Sequence, residues 1–302
     1  MKEIKNTRSK SIFKKLFVKL CRLMGYEIID QNNFFIPTQN KSLNENLSIQ
    51  GSKSINLPLG EVKITRKVKS LDIIIRTCAS VGMLTQNKQR IFEQEKIEYT
   101  LRSINSIIRS IKFTKQLVKN VQINLTIVDH NSGEENLSKI KKLINNSELK
   151  HSLINLNLSE FDSKIKKTNE KNEAVTSNQI SNMSNIYKSL ELSKSFDDLV
   201  YFVEDDYIHE RKSIYEMIMT YERVASQINN EIILCPTDYP YLYTQSEGTQ
   251  IFLGENYHWR KISETLCTFL TSKQIVQKHW SKLTRMCEFE HYPFEKPLHE
   301  IY

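Results

Sequence analysis

Leu199-Val200-Tyr201-Phe202-Val203-Glu204-Asp205-Asp206 decides how this chain reads. Five apolar residues in succession, mostly β-branched or aromatic, predict a short strand covered on both faces, as in a parallel sheet. The run ends in three carboxylates. Like charges at a buried strand end raise one another's proton affinity unless a cation or hydrogen-bond donors compensate them. Hard oxygen ligands without a neighbouring Cys or His favour Mg²⁺ or Mn²⁺, which keep positions open for phosphate oxygens. Glu204 and Asp206 share a face about 6.6–6.8 Å apart by strand rise, so one is expected to bind an ion directly and the other through water or ligand.

Two earlier runs have the same texture. Leu71-Asp72-Ile73-Ile74-Ile75-Arg76 leads into Thr77, and Ile123 to Val128 is closed by Asp129-His130-Asn131-Ser132-Gly133. Ile97, Leu101, Ile104, Ile108 and Ile111 recur at helical spacing and predict a helix from about Lys88 to Ile111. Further helices are expected near 135–145 and 178–195, a polar exposed loop over 160–175, a fourth strand at Ile232–Leu234 and a fifth apolar stretch at Leu266–Leu270. Such alternation implies right-handed crossovers and an α/β fold with a mostly parallel central sheet flanked by helices. Ligands of open parallel sheets bind beyond the carboxyl ends of the strands, where Arg76-Thr77, Asp129-His130-Asn131 and the acidic triplet all fall.

The 302 residues carry a formal charge of +8. Residues 1–70 hold 14 Lys+Arg against 5 Asp+Glu, or +9, and the remaining 29 against 30 give −1. The excess belongs to the arm, so a nucleic-acid-binding surface over the whole chain is not expected. Residues 30–70 are rich in Asn, Ser, Gln and Lys, and the expected organisation is a basic arm and linker, 1–70, followed by an α/β domain, 71–302. Seven glycines without a G-x-G exclude the dinucleotide fingerprint, and G-x-x-x-x-G-K-[ST], G-x-S-x-G and H-E-x-x-H are absent. Five dispersed cysteines without C-x-x-C point to a reducing, cytoplasmic compartment.

In residues 11–24, SIFKKLFVKLCRLM, a helical projection gathers Ile12, Phe13, Leu16, Phe17, Leu20, Cys21, Leu23 and Met24 on one half. Lys14, Lys15, Lys19 and Arg22 share the other half with Val18. Two readings stand: a helix lying on an anionic membrane surface, placing the protein peripherally at a cytoplasmic face, or one docking its stripe on the protein's own core.

Ile73-Ile74-Ile75-Arg76-Thr77, Ile127-Val128-Asp129-His130-Asn131-Ser132 and Tyr201 to Asp206 together resemble the nucleotide-sugar signatures of GT-A glycosyltransferases of the family-two type, over roughly residues 70–300. The resemblance implies a metal-dependent transferase that moves a sugar from a nucleoside diphosphate donor to a hydroxyl of a glycan or lipid-linked acceptor, with inversion. It implies that Arg76, Thr77, Asp129 and Asn131 line the donor site, that Asp206 holds Mn²⁺ or Mg²⁺ with Glu204 and Asp205 near ribose, sugar or metal waters, and that Asn178 and Asn182 face the donor. A divalent ion neutralises the charge growing on the departing diphosphate, and inversion needs a carboxylate base. The family's base-bearing motif falls on His291 to Leu298, which makes Glu295 the first candidate, Asp238 the second and Glu264 the third. Trp259 and Arg260 offer either an aromatic platform with a phosphate-binding cation, or a partly buried Trp with a snorkelling Arg.

His130 stands where the family commonly has a second Asp, and no Q-x-x-R-W follows, so a processive synthase is not expected. The chain stops at Tyr302, where many relatives continue, so a domain shortened at its C-terminus is expected. Two rivals use the same residues: a metal-dependent nucleotidyl or phosphoryl transferase with a second ion, and a membrane-recruited sugar-nucleotide-binding module without turnover.

Overall fold

A computed structural model describes residues 12–26, 63–80, 94–237 and 251–301. Its centre is a six-stranded sheet built from β1 (Ser70–Thr77), β2 (Gln122–Asp129), β3 (His151–Asn155), β4 (Leu199–Glu204), β5 (Ile233–Leu234) and β8 (Phe269–Ser272) in the order β3-β2-β1-β4-β8-β5. β1 to β4 are mutually parallel, whereas β8 runs against both β4 and β5. The small hairpin of β6 (Ile251–Leu253) and β7 (His258–Arg260) stands apart from this sheet.

β1 is buried along its whole length because helices cover both of its faces. Leu71, Ile73 and Ile75 point with Tyr201 and Val203 of β4 into one core, closed by α2 (Lys96–Leu117), α3 (Glu134–Asn145) and α5 (Ser213–Ile228). Ile74 points the other way with Val200 and Phe202, toward α4 (Ser177–Ser193) and α7 (Trp280–Glu288), the latter preceded by the short α6 (Lys273–Lys278). The two-residue period of a strand thus divides the molecule into helix, sheet and helix layers.

Several boundaries differ from those expected. α2 starts at Lys96 after an extended Glu95, later than the expected Lys88, and runs to Leu117 because Thr114, with no exposure, prolongs its buried stripe; residues 88–93 lie outside the described residues. β3, whose sequence HSLIN has no continuous apolar run, was not anticipated; it is an edge strand held by β2 alone. The 160–175 stretch is docked rather than simply exposed: Phe161 and Ile165 enter the second core, and the Lys166 and Glu170 amides donate to the Glu288 and Glu290 carbonyls at 2.6 and 3.1 Å. Of the fifth apolar stretch, Leu266 and Cys267 take positive φ angles of 47° and 57°, and the strand starts only at Phe269.

The body also begins before Leu71. Arg66 bridges Asp198 and Glu231, the Lys69 amide donates to Asp198, the Val68 amide to Glu222, and the Thr65 and Arg66 amides to Ser226 of α5. The last residues of the expected arm are therefore pinned to the amino edge of the sheet. Ahead of the body, α1 (Ile12–Leu23) forms as its periodicity predicts.

Candidate active site

Strand order decides where a site can form. From β1 the chain first builds outward through β2 to β3, then returns to place β4 on β1's other side, so the order reverses between β1 and β4. The carboxyl ends flanking such a reversal leave a crevice. Register sets Arg76 beside both Val128 and Glu204, and Thr77 beside Asp129. All three polar clusters expected from the sequence therefore meet at one edge.

At the ends of β1 and β2 the polar groups close on one another. The Thr77 hydroxyl donates to Asp129 Oδ1 at 2.5 Å, while the Ser132 hydroxyl donates to the same oxygen and the Ser132 amide to Oδ2 at 3.3 Å. Ser132 Oγ also accepts from the Ala79 amide at 2.8 Å, tying the two strand exits together. Asp129 is only 4% exposed, so its direct role is to fix this turn. Asn131, exposed and at a φ of 60°, is the outward-facing member of the cluster. His130 bonds Ser181 of α4 at 2.6 Å, and burial holds its pKa below the usual value despite Asp129. Asn182 is half-buried on the same helix.

The acidic triplet divides by strand alternation. Glu204 lies on the face of Phe202 and takes Arg76 Nη2 at 2.9 Å; the same nitrogen donates to the Cys267 carbonyl at 3.2 Å. Asp205 points to the opposite face, where Lys96 Nζ and Thr100 Oγ1 of α2 each donate to it at 2.7 Å. At 5% exposure Asp205 is a buried anchor for α2. Asp206, in the turn that follows, is exposed. Four carboxylates, Asp129 included, thus stand against two cations, Arg76 and Lys96. Burial, with Asp206 and Asp205 adding to it against the pull of Arg76, pushes Glu204 up to about 7. Asp206 is likewise raised although its surface is open, because the neighbouring strand exits partly withdraw its carboxylate from water and Asp205 adds to this against the pull of Lys96. Burial opposes the charge on Lys96, but Asp205 and Asp206 outweigh it and raise its pKa.

Among the described residues no three His, Cys, Asp or Glu side chains are arranged as a ready cation cage. Glu204 and Asp206 are two hard ligands with unbalanced negative charge, a donor set that suits an ion completing its shell with phosphate oxygens and water. Cys78, beside these acids, is pushed up to about 11 by burial and by Asp129 and Asp205, so it stands as a thiol rather than a nucleophilic thiolate.

The first base candidate is enclosed. Glu295 is 4% exposed and accepts from the Thr265 amide at 2.8 Å, the Thr265 hydroxyl at 2.7 Å and the Cys267 amide at 2.6 Å. Those bonds hold the left-handed turn at Leu266 and Cys267, whose carbonyl receives Arg76. Glu295 therefore reaches the site through a chain of contacts and not as an open carboxylate. Glu264 is half-buried just before this turn, and Asp238 lies outside the described residues.

Trp259 and Arg260 sit on β7, anchored by a residue the sequence did not single out. Glu216 of α5, 3% exposed, accepts from the amides of Glu255, Asn256 and Tyr257, from the Asn256 side chain, from Thr220 and from the Trp259 indole. Burial opposes its charge, but the donors led by Asn256 outweigh it and hold its pKa below the usual range. A Cβ at Gly254 would stand 2.4 Å from Glu216 Oε1 and 2.5 Å from Trp259 Nε1, so this close approach requires glycine. Trp259 and Arg260 are half-buried and line a cavity of about 710 Å³ together with Tyr207, Ile208, His209 and Tyr257. Tyr207 also brings this cavity next to the acidic turn. Burial pushes His209 down to about 4, so its ring is neutral: Nδ1 donates to the Tyr207 carbonyl and Nε2 accepts from the Tyr201 hydroxyl at 2.8 Å.

Lys96, Thr100 and Glu216 escaped sequence reasoning because each is a single polar residue in an ordinary helix. No protein-family model, curated protein or solved structure matches the chain.

Proposed function

We propose that the chain is a metal-dependent glycosyltransferase of GT-A type, transferring a sugar from a nucleoside diphosphate sugar to a hydroxyl acceptor with inversion. The observation that carries this reading is the junction of Arg76-Thr77, Asp129-Asn131 and Glu204-Asp206 at the reversal of strand order, with carboxylates in excess over cations. Asp206 and Glu204 are the residues that would hold Mn²⁺ or Mg²⁺, and such an ion neutralises charge on the departing diphosphate. Asn131, the open polar group at the β2 exit, faces the donor; Thr77 and Asp129 keep that exit in place. Asp205 fastens the acidic turn to α2. Glu295 acts as a positioning residue, because its bonds to the 265–267 turn set the carbonyl that holds Arg76 against Glu204. The aromatic cavity beside Tyr207 is the place for the acceptor, with Trp259 and Tyr257 as apolar walls for a sugar ring. Proton removal from the acceptor then falls to Glu264 or Asp238.

The enclosure of Glu295 favours a second reading, a sugar-nucleotide-binding module without turnover. Thermal shift with a panel of nucleotide sugars, with and without Mn²⁺, tests what the two readings share. A donor at 100 times its dissociation constant raises stability by about 2.7 kcal/mol. The expected result is a Mn²⁺-dependent shift with one donor, abolished by Asp206→Asn; no shift with any donor rejects both readings. Release of free nucleoside diphosphate in the presence of acceptor separates transfer from binding alone.

A further inference from the structure

α1 leaves its apolar stripe in water. Phe13 is 85% exposed, Leu16 and Phe17 each 61%, Leu20 54%, Leu23 78% and Met24 58%. At about 100° per residue these six positions fall within one arc of about 120°. Val18 and Cys21, at 6% and 9% exposure, are buried to one side of that arc. The covered side chains thus lie on the flank of the helix and not in its stripe, which the protein's own core leaves open.

We propose that α1 lays this stripe into the interface of an anionic bilayer and so docks the protein on a membrane surface. Charge selects the occupant. The twelve residues of the helix include Lys14, Lys15, Lys19 and Arg22 and no acid, within an arm carrying 14 Lys+Arg against 5 Asp+Glu. A second copy would set four positive charges against four, and a nucleic acid would satisfy the lysines while leaving Phe13, Phe17 and Leu20 in water. A bilayer containing acidic lipid satisfies both, its headgroups meeting the cations and its acyl boundary the stripe. Twelve residues span about 18 Å, less than the hydrocarbon core, and among the described residues no helix is long and apolar enough to cross a membrane. The helix lies on the surface. This inference stands on α1 alone and is independent of the transferase reading.

The test is co-sedimentation of the full chain with phosphatidylcholine vesicles, with and without phosphatidylserine. Expected is pelleting that needs phosphatidylserine and weakens with salt, that falls about fivefold for Lys19→Gln, and that disappears for Phe17→Glu combined with Leu20→Glu. The double variant should melt at the wild-type temperature, since both side chains are exposed; a lowered melting temperature would return the stripe to the protein's own core. Equal binding to both vesicle types, or undiminished pelleting of the double variant, overturns the proposal. So does a double variant whose one effect is to convert a dimer into a monomer in sedimentation velocity, which would give the stripe to a second copy.

Discussion

Glu216 and Glu204 stand beside the same sheet, the first enclosed and the second one-third exposed, and their environments drive them in opposite directions. Glu216 gathers three backbone amides, an indole, an amide side chain and a hydroxyl, and its pKa is held low although burial opposes the charge. Glu204 has Arg76 and two acidic neighbours, and is pushed up to about 7. Enclosure alone does not settle a carboxylate's charge; the donors that reach it do. A saturated carboxylate is a structural pin, whereas an undersatisfied one is a place where a cation or a proton is wanted. In the number of donors that reach them Glu295 and Asp205 resemble Glu216, whereas Asp206 shares the raised pKa of Glu204.

The contrast is broken first at the saturated end. Glu216→Ala would strand six donors, most of them partly buried, and a loss of about 3 kcal/mol is expected in chemical denaturation; a loss under ~1 kcal/mol would mean that water replaces the carboxylate. Gly254→Ala forces a methyl against the same carboxylate and is expected to cost about 2 kcal/mol. Glu295→Gln keeps the shape but weakens the charge-assisted bonds to Thr265 and Cys267, for a loss of about 1–2 kcal/mol. If Glu295 were instead the catalytic base, that variant would keep its stability and lose turnover, so melting and product release measured together separate the roles.

At the undersatisfied end the sign reverses. A carboxyl whose folded pKa is raised binds its proton more tightly in the folded protein, so its contribution is full below about pH 4.5 and is lost as pH rises toward about 7. Glu204→Gln should therefore flatten that decline and stabilise the metal-free protein above neutral pH by about 1 kcal/mol, discounted because the side chain is partly open and Arg76 loses its partner. A destabilised variant at about pH 8 would show that Arg76 compensates the charge fully. Glu216, held low, works the other way: its contribution is present above the ordinary glutamate range and lost as acid protonates it. The smallest effect calibrates the scale. Arg102 and Glu98 pair at 2.8 Å on open helix surface, and Arg102→Ala should change stability by only about 0.3 kcal/mol in the same denaturation series.

What the sequence conveys follows from range. The continuous apolar runs of β1, β2 and β4, and the polar groups ending them, are local features, and their order sufficed to predict a parallel sheet with its ligand edge. Strand alternation could also have told Asp205 from Glu204, because neighbours on a strand face opposite layers. Glu295 was beyond such reasoning: its donors lie 30 and 28 residues away on a left-handed turn. β3 hid for another reason, since an edge strand half open to solvent needs no unbroken apolar run. Three of the six donors of Glu216 are backbone amides, which no residue pattern records.

The central position of β1 also bears on how the chain comes to be folded. Its two partners arrive late: Asp129 closes the β2 pairing about fifty residues after Thr77, and Glu204 the β4 pairing some seventy-five residues after that. Arg66 waits longer still, 132 residues for Asp198 and 165 for Glu231. During synthesis Leu71 to Ile75 therefore leave the ribosome as an unpaired apolar edge, and the β1 and β4 edges that frame the crevice meet only once Glu204 has been made, 128 residues after Arg76. Contacts so distant in sequence make for slow closure and a nascent chain that depends on being shielded until β4 arrives.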